Sequence, residues 1–230
     1  MPLHVPRCVI IVAGGSGSRM GAGVPKQFLL LAGQPLLMHT IALFARYDAS
    51  LFIVVALPVA HIEHWQQLCS TYRFGVPHKV VAGGATRSAS VRNALAVLPD
   101  TDFIAVHDGV RPLAPVEVIA RCFDTASHHG SAVPATAITD SLRKKTGDAS
   151  YDLPRENLYA VQTPQVFRAD WLVHAYAHTA DCPGAFTDDA SVVQAAGYDI
   201  ILVEGSRENI KITEPPDLPV AEALIALRRS

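Results

Sequence analysis

The chain is sparing with charge: 17% of its 230 residues are Asp, Glu, Lys or Arg, against 50% hydrophobic residues. Disordered chains combine low hydrophobicity with high charge, so this composition excludes disorder as a description of the whole and supplies a sizeable core. Neither sign is in excess. Nineteen Lys and Arg face 21 Asp and Glu, a net charge of −2, which argues against nucleic-acid binding through a broadly basic surface but leaves room for a local cationic pocket. Cysteine is scarce. Cys8, Cys69, Cys122 and Cys182 form no Cys-x-x-Cys pair and have no His at a zinc-like spacing, so buried or incidental thiols in a reducing compartment are expected. No apolar run reaches the ~20 residues of a membrane span. Residues 1–7 (MPLHVPR) lack the layout of a signal peptide. The expectation is a cytoplasmic protein with neither a membrane nor a nucleic-acid partner.

Short apolar runs alternate with helical patterns. Residues 8–13 (CVIIVA), 51–57 (LFIVVAL), 103–107 (FIAVH) and 200–203 are continuous and β-branched, as strands covered on both faces are. Between them Leu37, Ile41 and Phe44, and again Val91, Leu95 and Leu98, repeat at helical spacing. Pro115 suits a first helical position, Thr86 or Ser88 a helix cap, Thr187 an N-cap, and Thr213 the start of a last helix. Strand–helix alternation predicts α/β: one Rossmann-like domain over residues 1–230, with a mainly parallel mixed sheet and helices on both faces. Residues 137–160 break the rhythm. They hold Arg143-Lys144-Lys145, a Gly147-Asp148 turn and Asp152-Leu153-Pro154-Arg155-Glu156 without a helical face, and a segment of that kind in a compact domain is usually functional. It reads as a projecting β-arm.

The first strand runs into Ala13-Gly14-Gly15-Ser16-Gly17-Ser18-Arg19-Met20-Gly21, then Pro25-Lys26-Gln27. Glycines beyond a strand's carboxyl end let backbone N–H groups form a concave anion nest, to which Arg19 and Lys26 add charge. The spacing matches neither G-x-G-x-x-G nor G-x-x-x-x-G-K-[ST], which disfavours a dinucleotide reductase and a P-loop NTPase. His61 and His64, and His128 and His129, have no carboxylate or cysteine partners at a recognised metal spacing.

The glycine-rich loop with Arg19 and Pro25-Lys26-Gln27 resembles the signature of nucleotidyltransferases, several subfamilies of which share it. Four further stretches narrow the likeness: residues 83–91 (GGATRSASV), 107–112 (HDGVRP), 187–191 (TDDAS) and 208–213 (ENIKIT). With Gln162-Thr163-Pro164-Gln165, the ordered set resembles the 2-C-methyl-D-erythritol 4-phosphate cytidylyltransferase family of non-mevalonate isoprenoid synthesis, from about residue 8 to 220. That resemblance implies transfer of CMP from CTP to the polyol phosphate with release of pyrophosphate. It implies Arg19 and Lys26 as transition-state stabilisers beside the triphosphate, and Arg155 and Lys211 as cations holding the acceptor phosphate. Ala13, Gly14, Gly15, Gly17, Gly84, Ser90 and Asp108 would bind the nucleotide. Asp108, Arg111, Ser141, Thr163, Thr187 and again Arg155 and Lys211 would bind the acceptor.

Mg²⁺ or another divalent ion is expected, carried mainly by the CTP phosphates and without a named protein ligand. The resemblance also implies a homodimer in which the arm completes the partner's site. Departures are mild: Gly14 stands where a second alanine is usual, His-Asp-Gly-Val-Arg-Pro replaces His-Asp-Ala-Ala-Arg-Pro, and Ser141 replaces threonine. A cytidylyltransferase for another polyol phosphate, such as ribitol 5-phosphate, would share nearly all these motifs. Use of a guanine or uridine nucleotide, or a non-catalytic module on the same fold, are the remaining alternatives.

Overall fold

The computed structural model describes residues 6–15, 24–179 and 186–228. In chain order the elements are β1 (Arg7–Val12), β2 (Leu30–Leu31), β3 (Gln34–Pro35), α1 (Leu36–Tyr47), β4 (Phe52–Leu57), α2 (Val59–Thr71), β5 (Lys79–Ala82), α3 (Arg87–Leu95), β6 (Phe103–Asp108) and α4 (Val116–His129). There follow β7 (Ser131–Ala137), β8 (Leu142–Thr146), β9 (Ala149–Leu153), β10 (Tyr159–Val161), β11 (Gln165–Arg168), α5 (Ala169–His178), α6 (Asp189–Ala195), β12 (Leu202–Glu204) and α7 (Asp217–Leu227). The central sheet runs β10-β7-β11-β6-β1-β4-β5, with β12 also paired to β7. The β6-β1-β4-β5 half is parallel, whereas β11 pairs antiparallel to both β6 and β7.

The expected α/β architecture is therefore present, and β1 shows why its strands carry continuous apolar runs. Val9 and Ile11 enter a core with α1, α2 and α4 on one face, while Cys8 and Ile10 enter a second core with α3, α5 and α6 on the other. Cys8 and Cys122 are buried and Cys69 is half-buried, none in a disulfide; Cys182 lies outside the described residues. No described helix is long and apolar enough to cross a membrane.

Several boundaries differ from expectation for local physical reasons. The predicted strand over 200–203 begins at Leu202, where pairing to Val133 starts. The N-cap of α6 is Asp188 rather than Thr187. Its carboxylate accepts the Ser191 N–H at 3.0 Å while the Ser191 hydroxyl lies 3.4 Å from the Asp188 N–H, a reciprocal cap. Pro115 precedes α4 as its N-cap, one residue before the first helical position. The last helix starts at Asp217, not Thr213; the Asp217 carboxylate accepts the Thr213 and Glu214 N–H groups and closes the turn ahead of it. Thr86 does cap α3, accepting the Ala89 N–H at 3.0 Å.

Within residues 137–160 the β8–β9 hairpin forms a sheet of its own, whereas Ala137, Tyr159 and Ala160 belong to the central sheet. β8 and β9 pair only with each other across the Gly147 turn, and all five residues of β9 are exposed.

Candidate active site

The carboxyl ends of β1 and β6 open a crevice of about 250 Å³. Its walls bring together the first glycine loop (Ala13, Gly14, Gly15), Lys26, the Gly84–Ser90 stretch, Asp108 and Lys211. These come from five distant parts of the chain, and the parallel sheet is what collects them, because ligand crevices form beyond the carboxyl ends of such strands.

Asp108, the last residue of β6, is the hub. One carboxylate oxygen, Oδ2, takes Lys211 Nζ at 3.0 Å and Arg111 Nε at 3.2 Å, while Oδ1 faces Arg87 Nε at 3.7 Å. Burial alone would raise this carboxyl, but the Lys211, Arg87 and Arg111 cations hold it far below the usual carboxylate range. Asp108 is therefore ionised at any physiological pH and faces three cations, one of which, Arg87, also pairs with Asp189.

The hub is braced from behind. The Arg111 carbonyl accepts from His107 Nε2 at 3.0 Å, which assigns the ring proton to Nε2 and leaves Nδ1 to accept from the Thr163 hydroxyl at 3.1 Å. That same hydroxyl oxygen accepts the Asp108 N–H at 3.1 Å. Burial pushes the fully enclosed His107 down to about 4, so it stays neutral and the relay keeps its direction. Arg111 Nη1 donates to the Asn209 carbonyl at 2.7 Å, and the Asn209 amide donates to the Thr163 carbonyl at 2.8 Å. The segment carrying Lys211 is thus tied to the one carrying Asp108.

The other wall is backbone-rich. The Gly84 N–H donates to Ser90 Oγ at 3.0 Å, and the Ser90 hydroxyl donates to the Thr86 carbonyl at 2.9 Å. A Cβ on Gly84 would collide with Ala89, so glycine is required for the turn to lie against α3. At Gly15 a Cβ would meet the Lys26 stem at 2.9 Å and its ammonium at 3.5 Å; the missing side chain admits Lys26 to the loop. At Gly109, a Cβ would lie 2.9 Å from the Ala13 Cβ and 3.2 Å from the Val12 carbonyl, so glycine suits the close approach of this turn to β1. Gln27 is fully buried on this wall, and neither amide atom has a hydrogen-bond partner among the described residues.

Of the residues predicted from sequence, Ala13, Gly14, Gly15, Lys26, Gly84, Ser90, Asp108 and Lys211 line this one crevice. Arg111 stands behind Asp108 and lines an adjoining hollow with Thr139, Gln162 and Lys211. Thr163 is 4% exposed, and its hydroxyl bonds reach Asp108 rather than open space. Thr187 is exposed beside the cap of α6. Ser141 and Arg155 sit exposed on the arm, where Arg155 donates to the Thr139 carbonyl; neither lines the crevice. Arg19 and Gly17 lie outside the described residues.

Sequence reasoning passed over Arg87, Asp189 and Asn209, although each stood inside a quoted motif. The available signal was Arg87 itself, a cation placed where a helix N-terminus disfavours one.

A divalent ion finds little here from the protein alone. Among the described residues no three His, Cys, Asp or Glu side chains are grouped to hold a metal, and the crevice carboxylate is already shared among three cations. The cationic walls fit an ion brought in on phosphate oxygens, the usual mode for Mg²⁺.

Comparison with known proteins adds the decisive observation. Residues 7–227 match the family model for 2-C-methyl-D-erythritol 4-phosphate cytidylyltransferase. The chain belongs to this cytidylyltransferase family. The Porphyromonas gingivalis member is 51% identical over 221 residues, covering 95% of this chain and 97% of that one. The Phocaeicola vulgatus member is 47% identical over 219 residues, covering 95% and 99%. The crystal structure of the cytidylyltransferase from Thermus thermophilus superposes with a TM-score of 0.79 at 35% identity, over 96% of this chain and 98% of that one.

Proposed function

We propose that this protein transfers CMP from CTP to 2-C-methyl-D-erythritol 4-phosphate, giving 4-diphosphocytidyl-2-C-methyl-D-erythritol and pyrophosphate in isoprenoid precursor synthesis. The observation that carries the reading is that Lys26, from the nucleotide loop, and Lys211, from the far end of the chain, line the same crevice with Asp108 between the acceptor-side cations. Family membership favours methylerythritol phosphate over ribitol phosphate as acceptor.

A phosphate oxygen of the acceptor attacks the α-phosphorus of CTP in line, and the bond from that phosphorus to the bridging oxygen breaks to release pyrophosphate. The attacking phosphate is already a nucleophile, so the chemistry needs position and positive charge more than a strong base. The Gly84–Ser90 turn offers backbone and hydroxyl groups suited to a pyrimidine edge. Lys26 and Arg19 meet the charge that grows on the α-phosphate and pyrophosphate. Lys211 and Arg111 hold the acceptor phosphate. A divalent ion, when bound with CTP, supplies further charge neutralisation on the phosphates.

The arm completes the site in a homodimer. Arg155 and Ser141 do not reach the crevice of their own chain. Tyr151 and Leu153 on the hairpin are exposed, as are Tyr159 and Leu202 around a hollow between β10, β7 and β12. Such a pattern suits a twofold pair in which each arm lies on the other copy.

The test is acceptor-dependent pyrophosphate release with Mg²⁺, run with CTP, ATP, GTP and UTP. Release with CTP and methylerythritol phosphate, exceeding that with ribitol phosphate, is expected. No release with this pair would overturn the reading. Lys26→Ala should still bind CTP while losing roughly 10²–10³-fold in kcat, the loss typical of a transition-state charge donor.

A further inference from the structure

Arg87 is the first residue of α3, capped by Thr86. A cation there opposes the helix dipole, so something outside the helix must hold it. Two carboxylates do. Arg87 Nη2 meets Asp189 Oδ2 at 2.6 Å, and Nε faces Asp108 Oδ1 at 3.7 Å. Asp189 is fully buried in the first turn of α6, and its other oxygen accepts the Tyr176 hydroxyl at 2.6 Å. A charge that deep is tolerated only when paired. The result is a chain of contacts from Tyr176 through Asp189 and Arg87 to Asp108.

The division of Asp108's oxygens gives this chain a use. Oδ2 carries Lys211 and Arg111, whereas Oδ1 faces Arg87 alone among the cations of the described residues. The three cations differ in freedom. The Lys211 side chain is 42% exposed, against 27% for Arg87 and 12% for Arg111. Lys211 is the one able to turn towards an incoming phosphate. When it does, Asp108 loses its shortest ion-pair contact, and Arg87, anchored at Asp189, stays.

We propose that Arg87 is a positioning residue: spanning Asp189 and Asp108, it fixes the Asp108 carboxylate so that Lys211 can leave it for the acceptor phosphate. This rests on the cytidylyltransferase reading above. Arg87 touches neither reacting atom; it acts through Asp108 and, beyond that, through Lys211.

The experiment compares the parent enzyme with Arg87→Lys and with the double variant Arg87→Gln/Asp189→Asn, which removes the anchor charge together with its cation and so avoids a stranded buried carboxylate. Steady-state pyrophosphate release is measured with each substrate varied, beside thermal melting. In the double variant the acceptor KM should rise about tenfold or more, kcat should change less, and the KM for CTP should stay within about threefold. Arg87→Lys, which keeps a charge but not the planar two-sided reach, should fall between the double variant and the parent. A folded variant of either kind with the parent's acceptor KM overturns the role of Arg87, as does an equal rise in both KM values. A parent that releases no pyrophosphate instead overturns the reading beneath it.

Discussion

The crevice and the arm are built on opposite principles. Around Asp108 nearly every polar group has its partner within the same chain: three cations on one carboxylate, a histidine–threonine relay beneath it, and Asn209 tying the Lys211 segment to Thr163 and Arg111. The β8–β9 hairpin has almost nothing of the kind. It pairs with itself, exposes every residue of β9, and carries Arg155 away from the crevice. One region holds two acceptor-side cations, Lys211 and Arg111, without the third that the family likeness leads one to expect, and the other carries that third cation, Arg155, without a site. The contrast supports the proposed homodimer, in which the functional unit is larger than one chain.

The sharpest way to break that conclusion is subunit complementation. Lys26→Ala and Arg155→Ala should each lower turnover roughly 10²–10³-fold as homodimers. In a mixed dimer, one site combines an intact crevice with an intact arm from the other copy. Unfolding and refolding an equal mixture should therefore recover about a quarter of parental activity, since half the dimers are mixed and each has one of two sites restored. Recovery absent from a mixture shown to exchange subunits would mean that Arg155 serves its own crevice or none.

How much of this was readable beforehand differs between the two regions. On the charged walls, Lys26 was legible from the glycine-rich loop beside it, whereas Asp108 and Lys211 were picked out only by the likeness of their motifs to the family, and the structure brings all three to one crevice. Three strands of the parallel half were legible too, as the runs in β1, β4 and β6 are continuous and largely buried, whereas the short, half-exposed β5 at the sheet edge was missed. The antiparallel half was not. β7 contains Pro134 and alternates weakly, and β10 and β11 take their identity from pairing, β10 with β7 and β11 chiefly with β6, rather than from their own composition. The Arg87–Asp189 pair was invisible for another reason: it joins positions 102 residues apart, and no periodicity reports an ion pair. The arm was legible only as an absence, a stretch that fitted no core.

Acid should act on the crevice rather than the arm. His107 is buried neutral with its pKa pushed down to about 4, chiefly by burial. The unfolded chain, with an ordinary histidine near 6.5, takes up a proton first as pH falls. Stability is thus lost from about pH 6.5 downwards, reaching about 2 kcal/mol at pH 5, and this contribution levels off below pH 4. Thermal melting between pH 7.5 and 4.5 checks this, and dimer dissociation followed in parallel should lag behind. An arm that released before the Asp108 relay loosened would reverse the ranking of the two regions.

The smallest effect tests whether the two walls of the crevice are themselves separable. Thr86 caps α3 on the nucleotide side, and its carbonyl receives the Ser90 hydroxyl that orients towards Gly84. Thr86→Ala removes one cap, a loss of about 1 kcal/mol, which for a chain of this size lowers the melting temperature by about 2–4 °C. The KM for CTP should rise a few-fold as the Gly84 turn loosens, while the acceptor KM should hold, because Asp108 is held on its other side by Thr163, which Asn209 anchors in turn. If both KM values moved together, Thr86 would be acting through its neighbour Arg87. The crevice would then be one cooperative body whose nucleotide and acceptor walls cannot be tuned apart.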